Sequence, residues 1–293
     1  MTEAGLLKEK IGSLRWAIAL SFLLTLVKGV AAFFTASQAL LASALDSLMD
    51  VGISSVNLLS VHKASKPPDE DHAYGHEKIE SLAAYSQGIL ILVFAFLLFG
   101  EGFRRTLAGS FIHRSGLALL VVGFSMAVNF LITAILQRAE QRTGSLIVKV
   151  EKTHYFMDIL SYAVIVVSLV LVRVTGWPSW DLVGGIFVVG YVVFLAGQIL
   201  IQAANELVDR SLPQGVLDQL GTLIRRHDRR ILGYHELRTR KAGGKIFIDF
   251  HLVLQPKQSL VSAHEVAESL IEKIKKKFSN ADVTIHEDPE GGM

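Results

Sequence analysis

The sequence predicts an α-helical membrane protein with six transmembrane helices, followed by a small α+β domain of order αββαβ. Three observations carry this. Hydrophobic residues make up 51% of the 293 residues, and mean hydropathy is +0.43, above the apolar share of an ordinary soluble domain. The apolar residues come in runs of about twenty, the length that spans roughly 30 Å of hydrocarbon as helix. From about Asn205 onward the composition turns charged and soluble-like.

The spans fall at about Trp16–Ala36, Ala39–Val61, Ile79–Gly100, Ser115–Ile135, Thr153–Val172 and Pro178–Ala203. Lys28 interrupts the first and is expected to snorkel or to neutralise a neighbour. That first span is too long for a secretory h-region and reads as a retained helix. Trp177, Pro178, Ser179 and Asp181 make an interfacial start and cap for the sixth. Its glycines, Gly184, Gly185, Gly190 and Gly197, are expected to let helices approach closely.

An even number of spans puts both termini on one side. With that side inside, the inner segments hold Lys8, Lys10, Arg15, Lys63, Lys66, Lys78, Arg138, Arg142, Lys149 and Lys152, and the outer ones Arg104, Arg105, Arg114 and Arg173. The excess of Lys and Arg predicts cytoplasmic termini.

Beyond Asn205, LPQGVLDQLGTLIRRH has helical periodicity. ILGYHELRTRKA and KIFIDFHLVLQ read as strands around the turn Gly243-Gly244. SAHEVAESLIEKIKKKF is an amphipathic helix, with its basic run on a solvated face, and ADVTIHED is a last strand. Helices on one face of a three-stranded sheet fit this order.

The second span carries two aspartates, Asp46 and Asp50. Four residues apart, they lie on one helix face. Each costs about 2.5–3.5 kcal/mol near the middle of a membrane helix, so the pair points to a functional site. The fifth span repeats the spacing with His154 and Asp158. If the two faces meet, one imidazole and three carboxylates supply four ligands, the tetrahedral count, and suit a borderline cation better than Mg²⁺ or Ca²⁺. The chain has no cysteine, which excludes disulfides, iron–sulfur clusters and thiolate sites. The net charge of +2 gives no argument for nucleic acid.

Between spans two and three, KPPDEDHAYGHEK places Asp69, His72 and His76 close together, a second candidate metal position. Near the C-terminus, His235 and His251 lie on the hairpin strands, His264 on the helix, and His286 with Asp288 on the last strand. H-x-D at a strand end has reasonable ligand geometry. His62, His113 and His227 have no partners in sequence.

Together these residues resemble the cation diffusion facilitator family, closest to its bacterial zinc/iron efflux branch. The resemblance covers nearly the whole chain. It comprises six spans, D-x-x-x-D (Asp46, Asp50), H-x-x-x-D (His154, Asp158), the P-x-D-x-x-H-x-x-G-H loop and a C-terminal metallochaperone-like, ferredoxin-like domain. It implies a six-helix transport domain over residues 1–208 and a cytoplasmic metal-binding dimerisation domain over residues 209–293. It also implies a homodimer in the inner membrane of the cell and a transporter rather than an enzyme. No cofactor is expected. Zn²⁺, or Cd²⁺, Fe²⁺, Co²⁺ or Ni²⁺, is the expected cargo and structural ion.

By the same resemblance, Asp46, Asp50, His154 and Asp158 match the transport site, and Asp69, His72 and His76 the loop site. His235, His251, His264, His286 and Asp288 match a binuclear site at the dimer interface. Lys78 and Asp209 match a pair that interlocks the protomers. Asp46 and His154 distinguish the quartet from that of the manganese branch, which has Asn and Asp there. The loop departs from the family pattern by its extra acid, Asp71.

The expected activity is proton-coupled efflux, with protons as counter-substrate, because metal ligands bind in their deprotonated forms. Two rivals remain. A membrane-anchored metal sensor explains the C-terminal histidines but not the intramembrane charges. A proton channel leaves the histidine clusters outside the membrane unexplained.

Overall fold

The computed structural model describes residues 3–35, 37–107, 116–177 and 180–291. Ala36, His113, Arg114, Ser115, Pro178 and Ser179, named above, lie outside them. The helices are α1 Glu3–Thr35, α2 Gln38–Ala64, α3 Lys78–Leu107, α4 Gly116–Thr143, α5 Leu146–Thr175 and α6 Trp180–Leu207. All six are long and apolar enough to cross a membrane, and the chain is a multi-pass membrane protein.

Several helices run past the apolar spans because hydropathy stops at the first charges, whereas a helix continues to its cap. Ser37 accepts from the Leu40 N–H at the start of α2, and Ser145 from the Val148 N–H at the start of α5. Each satisfies an otherwise orphaned donor. Gly176 closes α5 at φ 69°, its N–H on the Val172 carbonyl, a left-handed position that favours glycine.

One polar knot shows which helix ends share a side. Lys10 Nζ of α1 lies 2.8 Å from Glu80 Oε2 of α3, and the Ser145 hydroxyl at the start of α5 donates to the other Glu80 oxygen. Nearby, Arg142 pairs with Glu9 at 3.1 Å. The N-terminal parts of α1, α3 and α5 therefore meet at one end, and successive helices alternate in direction.

The buried stripe of α2 is polar in its middle. There Ser47, Asp50, Ser54 and Asn57 are buried, between Leu40 and Ala44 before them and Val61 and Ala64 after, while Leu41, Leu45, Leu48, Met49, Val56 and Leu59 point outward. The positions recur at helical spacing. This inverts the pattern of a soluble helix, as suits a helix with lipid outside and a polar interior. Of the sixth-span glycines, only Gly184 makes a close approach among the described residues. A Cβ there would lie 2.5 Å from Val164 and 2.6 Å from Ser168 of α5. Gly88 of α3, by contrast, does face α6, where a Cβ would lie 2.9 Å from Leu200.

Residues 1–204 and 205–293 form two compact units. The second holds α7 Gln214–Arg225, β1 Ile231–Ala242, β2 Lys245–Leu254, α8 Leu260–Lys277 and β3 Ala281–Pro289, the expected αββαβ order. β1 and β2 are antiparallel around the Gly243-Gly244 turn, and β3 returns parallel to β2 after α8, in the sheet order β1-β2-β3. Ile248, Phe250, Leu252 and Leu254 of β2 face a core shared with Leu220 and Ile224 of α7 and Val266, Leu270 and Ile274 of α8. Each such side chain contributes about 1.5–3 kcal/mol on full burial. Successive strand residues alternate faces, so the odd positions of β2, His251 among them, look away from the helices.

Candidate metal centre

Spans two and five meet. His154 Nε2 lies 2.9 Å from Asp50 Oδ1, and one ligand atom each from Asp50, His154 and Asp158 falls within 4.8 Å of the others. Asp46 lines the same cavity, of about 420 Å³, with these three residues and Gln87. It stays outside the tight group.

The oxygen-rich donor set with one imidazole suits a divalent transition metal. Asn129 Nδ2 of α4 donates to Asp158 Oδ2 at 3.3 Å, which orients that carboxylate. Metal ligands are commonly held by such outer partners.

Directly beneath the trio lies an acid that span counting passed over. Glu151, one turn before His154, is fully buried. The Ser54 hydroxyl donates to one of its oxygens. The side-chain amides of Asn57 and Gln87 donate to the other, Gln87 at 3.1 Å, and Asn57 Nδ2 also reaches Gln87 Oε1 at 2.8 Å. Tyr155 bridges Ser54 (3.0 Å) and Ser21 of α1 (2.8 Å). The network joins α1, α2, α3 and α5 below the cavity, and Gln87 belongs to both. The readable signal was a third charged position on the helix face of His154.

The loop between α2 and α3 brings its three predicted residues together. Asp69 Oδ1 is 3.1 Å from His72 Nδ1, and Asp69 Oδ2 is 3.3 Å from His76 Nε2. The two imidazoles stand 4.5 Å apart. Desolvation pushes the Asp69 carboxyl up, but hydrogen bonds from the His72 backbone and ring, and the charges of His76 and His72, hold it below its ordinary range. Asp71 does not join this group.

In the second unit, strand register aligns three histidines. His235 pairs with His251 and His251 with His286, at ring separations of 4.9 and 4.6 Å. Asp288 collects all three: Oδ2 lies 2.8 Å from His251 Nδ1 and 3.1 Å from His235 Nε2, and Oδ1 lies 3.2 Å from His286 Nε2. The hydrogen bond from His251, together with the neighbouring imidazoles, holds the Asp288 carboxyl below its ordinary range. His235, His251 and Asp288 fit a metal ion, with ligand atoms within 4.8 Å of one another.

His264 does not meet this cluster. It pairs with Glu287 at 3.7 Å. Glu287 alternates with His286 and Asp288 and so lies on the helix side of the sheet. Glu236, which the sequence reading passed over, sits at a β-bulge with φ 49° and places its carboxylate 3.8 Å from His251. Bulges re-aim side chains next to sites in this way. Asp209, at φ 58°, pairs with Arg240 of β1 at 3.2 Å, and Lys78 opens α3.

The cation efflux transmembrane domain family matches residues 14–208, and the cation efflux protein cytoplasmic domain family matches residues 212–290. The cation-efflux pump FieF of Escherichia fergusonii is 32% identical over 276 residues, covering 93% of this chain and 90% of that protein. The cation-efflux pump FieF of Shewanella oneidensis is 33% identical over 275 residues, covering 94% and 92%. A solved structure of CzrB in its Zn form is 31% identical, covers 29% of this chain and 97% of its own, and has a TM-score of 0.28. The chain belongs to the cation efflux, or cation diffusion facilitator, family.

Proposed function

We propose that this chain exports a divalent transition-metal cation, Zn²⁺ foremost, in exchange for protons and by alternating access. The carrying observation is the group Asp50, His154 and Asp158, one imidazole and two carboxylates within ligand distance in the interior of a six-helix bundle. Asp46 in the same cavity supplies the fourth ligand. Cation-efflux pumps at 32–33% identity support the direction of transport.

The ligands bind metal in their deprotonated forms, so metal and protons compete for the same oxygen and nitrogen atoms. A site that opens alternately to each side exchanges one for the other. In this reading the protein works as a homodimer in the inner membrane with both termini cytoplasmic. Asp69, His72 and His76 form a loop site for metal. The His235, His251, His286 and Asp288 face of the sheet, with His264, binds structural metal at the dimer interface. Lys78 and Asp209 lock the protomers together.

Reconstitution in proteoliposomes tests the reading. Zinc flux is expected to follow an imposed pH gradient and to vanish in Asp50→Ala. Flux that persists at the normal rate in that variant, or ignores the gradient, overturns it. The sensor reading accounts for the histidine face of the sheet but gives the intramembrane trio no role. It predicts metal binding without vectorial flux.

A further inference from the structure

Lys28 lies 2% exposed in α1, two turns before that helix ends at Thr35. A lysine within a span is costly, and the usual escape is to snorkel to the interface. Lys28 does not take it. Its Nζ donates to Ser47 Oγ at 2.8 Å and to the Tyr162 hydroxyl at 3.3 Å. Ser47 adjoins Asp46 on α2. Tyr162 is one turn beyond Asp158 on α5, with Ser43 of α2 hydrogen-bonded to it. The ammonium is thus bracketed by both ligand-bearing helices, which carry Asp46, Asp50 and Asp158. None of the three forms an ion pair with it among the described residues.

We propose that Lys28 is a fixed cation of the transport site, which offsets the carboxylate charge, keeps metal affinity moderate and so permits release. This rests on reading Asp46, Asp50, His154 and Asp158 as that site. Three carboxylates, a neutral imidazole and a divalent ion leave one net negative charge, and Lys28 cancels it. Ligands, ion and Lys28 then sum to zero, the state in which a low-dielectric bundle rearranges at least cost, while Glu151 below is met by its own donors. Without Lys28 the same ligands hold a divalent cation more tightly and the loaded site keeps an uncompensated charge.

The test compares Lys28→Met, Lys28→Gln and Lys28→Arg in the full-length protein, with Asp50→Ala as the control. Zn²⁺ binding is measured in detergent and Zn²⁺ flux in proteoliposomes. Lys28→Gln keeps a donor for Ser47 while losing the charge, and answers the question if Lys28→Met fails to fold. Expected results are at least about tenfold tighter binding with at least about tenfold slower flux for Met and Gln, against near-normal values for Arg. Unchanged affinity in Lys28→Gln overturns the proposal, as does equal impairment of the Gln and Arg variants, which indicates packing alone. If Asp50→Ala binds like the wild type, the transport-site reading falls as well. If Asp50→Ala is dead while Lys28→Gln behaves normally, only the role of Lys28 falls.

Discussion

His154 Nε2 of α5 lies 2.9 Å from Asp50 Oδ1 of α2, so the two charged helix faces are one site. Asp158 completes the group from one turn further along α5. Losing even an outer-shell partner typically costs 10–100-fold in metal affinity, so losing Asp50 itself is expected to cost at least about 100-fold in transport. Asp50→Asn, which keeps the shape and removes the charge, should behave nearly as badly as Asp50→Ala. Zinc flux into proteoliposomes reads this directly. An Asn variant with more than about half of normal flux would show that the carboxylate is not a ligand.

The pairing of α2 with α5 was legible because a charge inside an apolar span is expensive and therefore stands out, and two such pairs at one spacing stand out twice. Glu151 carries the same cost but lies just before the span that hydropathy draws from Thr153, whereas the helix starts at Leu146. Ser54, Asn57 and Gln87 are ordinary polar residues in sequence. Only the crossing of three helices shows that they share one carboxylate. The histidine row could be assigned to strands, but not the separation of His264. That depends on Glu287 alternating to the opposite face from His286 and Asp288, a register that follows from the parallel pairing of β2 with β3.

In the proposed transport site, selectivity should turn on the one nitrogen donor, His154. Imidazole favours zinc and its neighbours, whereas an all-carboxylate set suits manganese and harder ions. His154→Asp is expected to lower Zn²⁺ and Cd²⁺ flux by about tenfold or more relative to Mn²⁺. Competition assays across a metal panel check this. A variant with the wild-type rank order would place selectivity elsewhere than in the ligand set.

In the second unit, Asp228 gives a pH signature that can be separated from metal binding. Its carboxylate accepts from Arg230 Nη2 at 2.8 Å, Nε at 3.0 Å and backbone N at 2.8 Å, and the guanidinium holds its carboxyl down at about 2. A depressed folded-state value means the contribution is full above the ordinary carboxylate range near pH 4 and is lost as pH falls through about 2. The pair is partly exposed, so its worth is about 1 kcal/mol at most. In the full-length protein, Asp228→Asn should speed hydrogen exchange of the α7 and β1 amides by up to about fivefold. The ratio should match at pH 8 and pH 5 and shrink by pH 3. A ratio that grows on acidification would mean the Arg230 contact is not its source.

Glu151 should matter for stability before it matters for chemistry. Its two oxygens receive Ser54, Asn57 and Gln87, all buried. Glu151→Ala strands the Gln87 amide, whose Nε2 donates to Glu151, whereas Asn57 keeps Gln87 Oε1 and Ser54 keeps Tyr155, at about 1–3 kcal/mol per unsatisfied group. Glu151→Gln keeps one acceptor oxygen but turns an amide toward other donors, and should cost less. The expected order of thermal unfolding in detergent is wild type, then Gln, then Ala, with the Ala variant several degrees below wild type. Because Gln87 also lines the metal cavity, both variants should weaken Zn²⁺ binding by about 10–100-fold, the range for outer-shell changes. An Ala variant that unfolds at the wild-type temperature would mean that the network under the site is not what holds α2, α3 and α5 together.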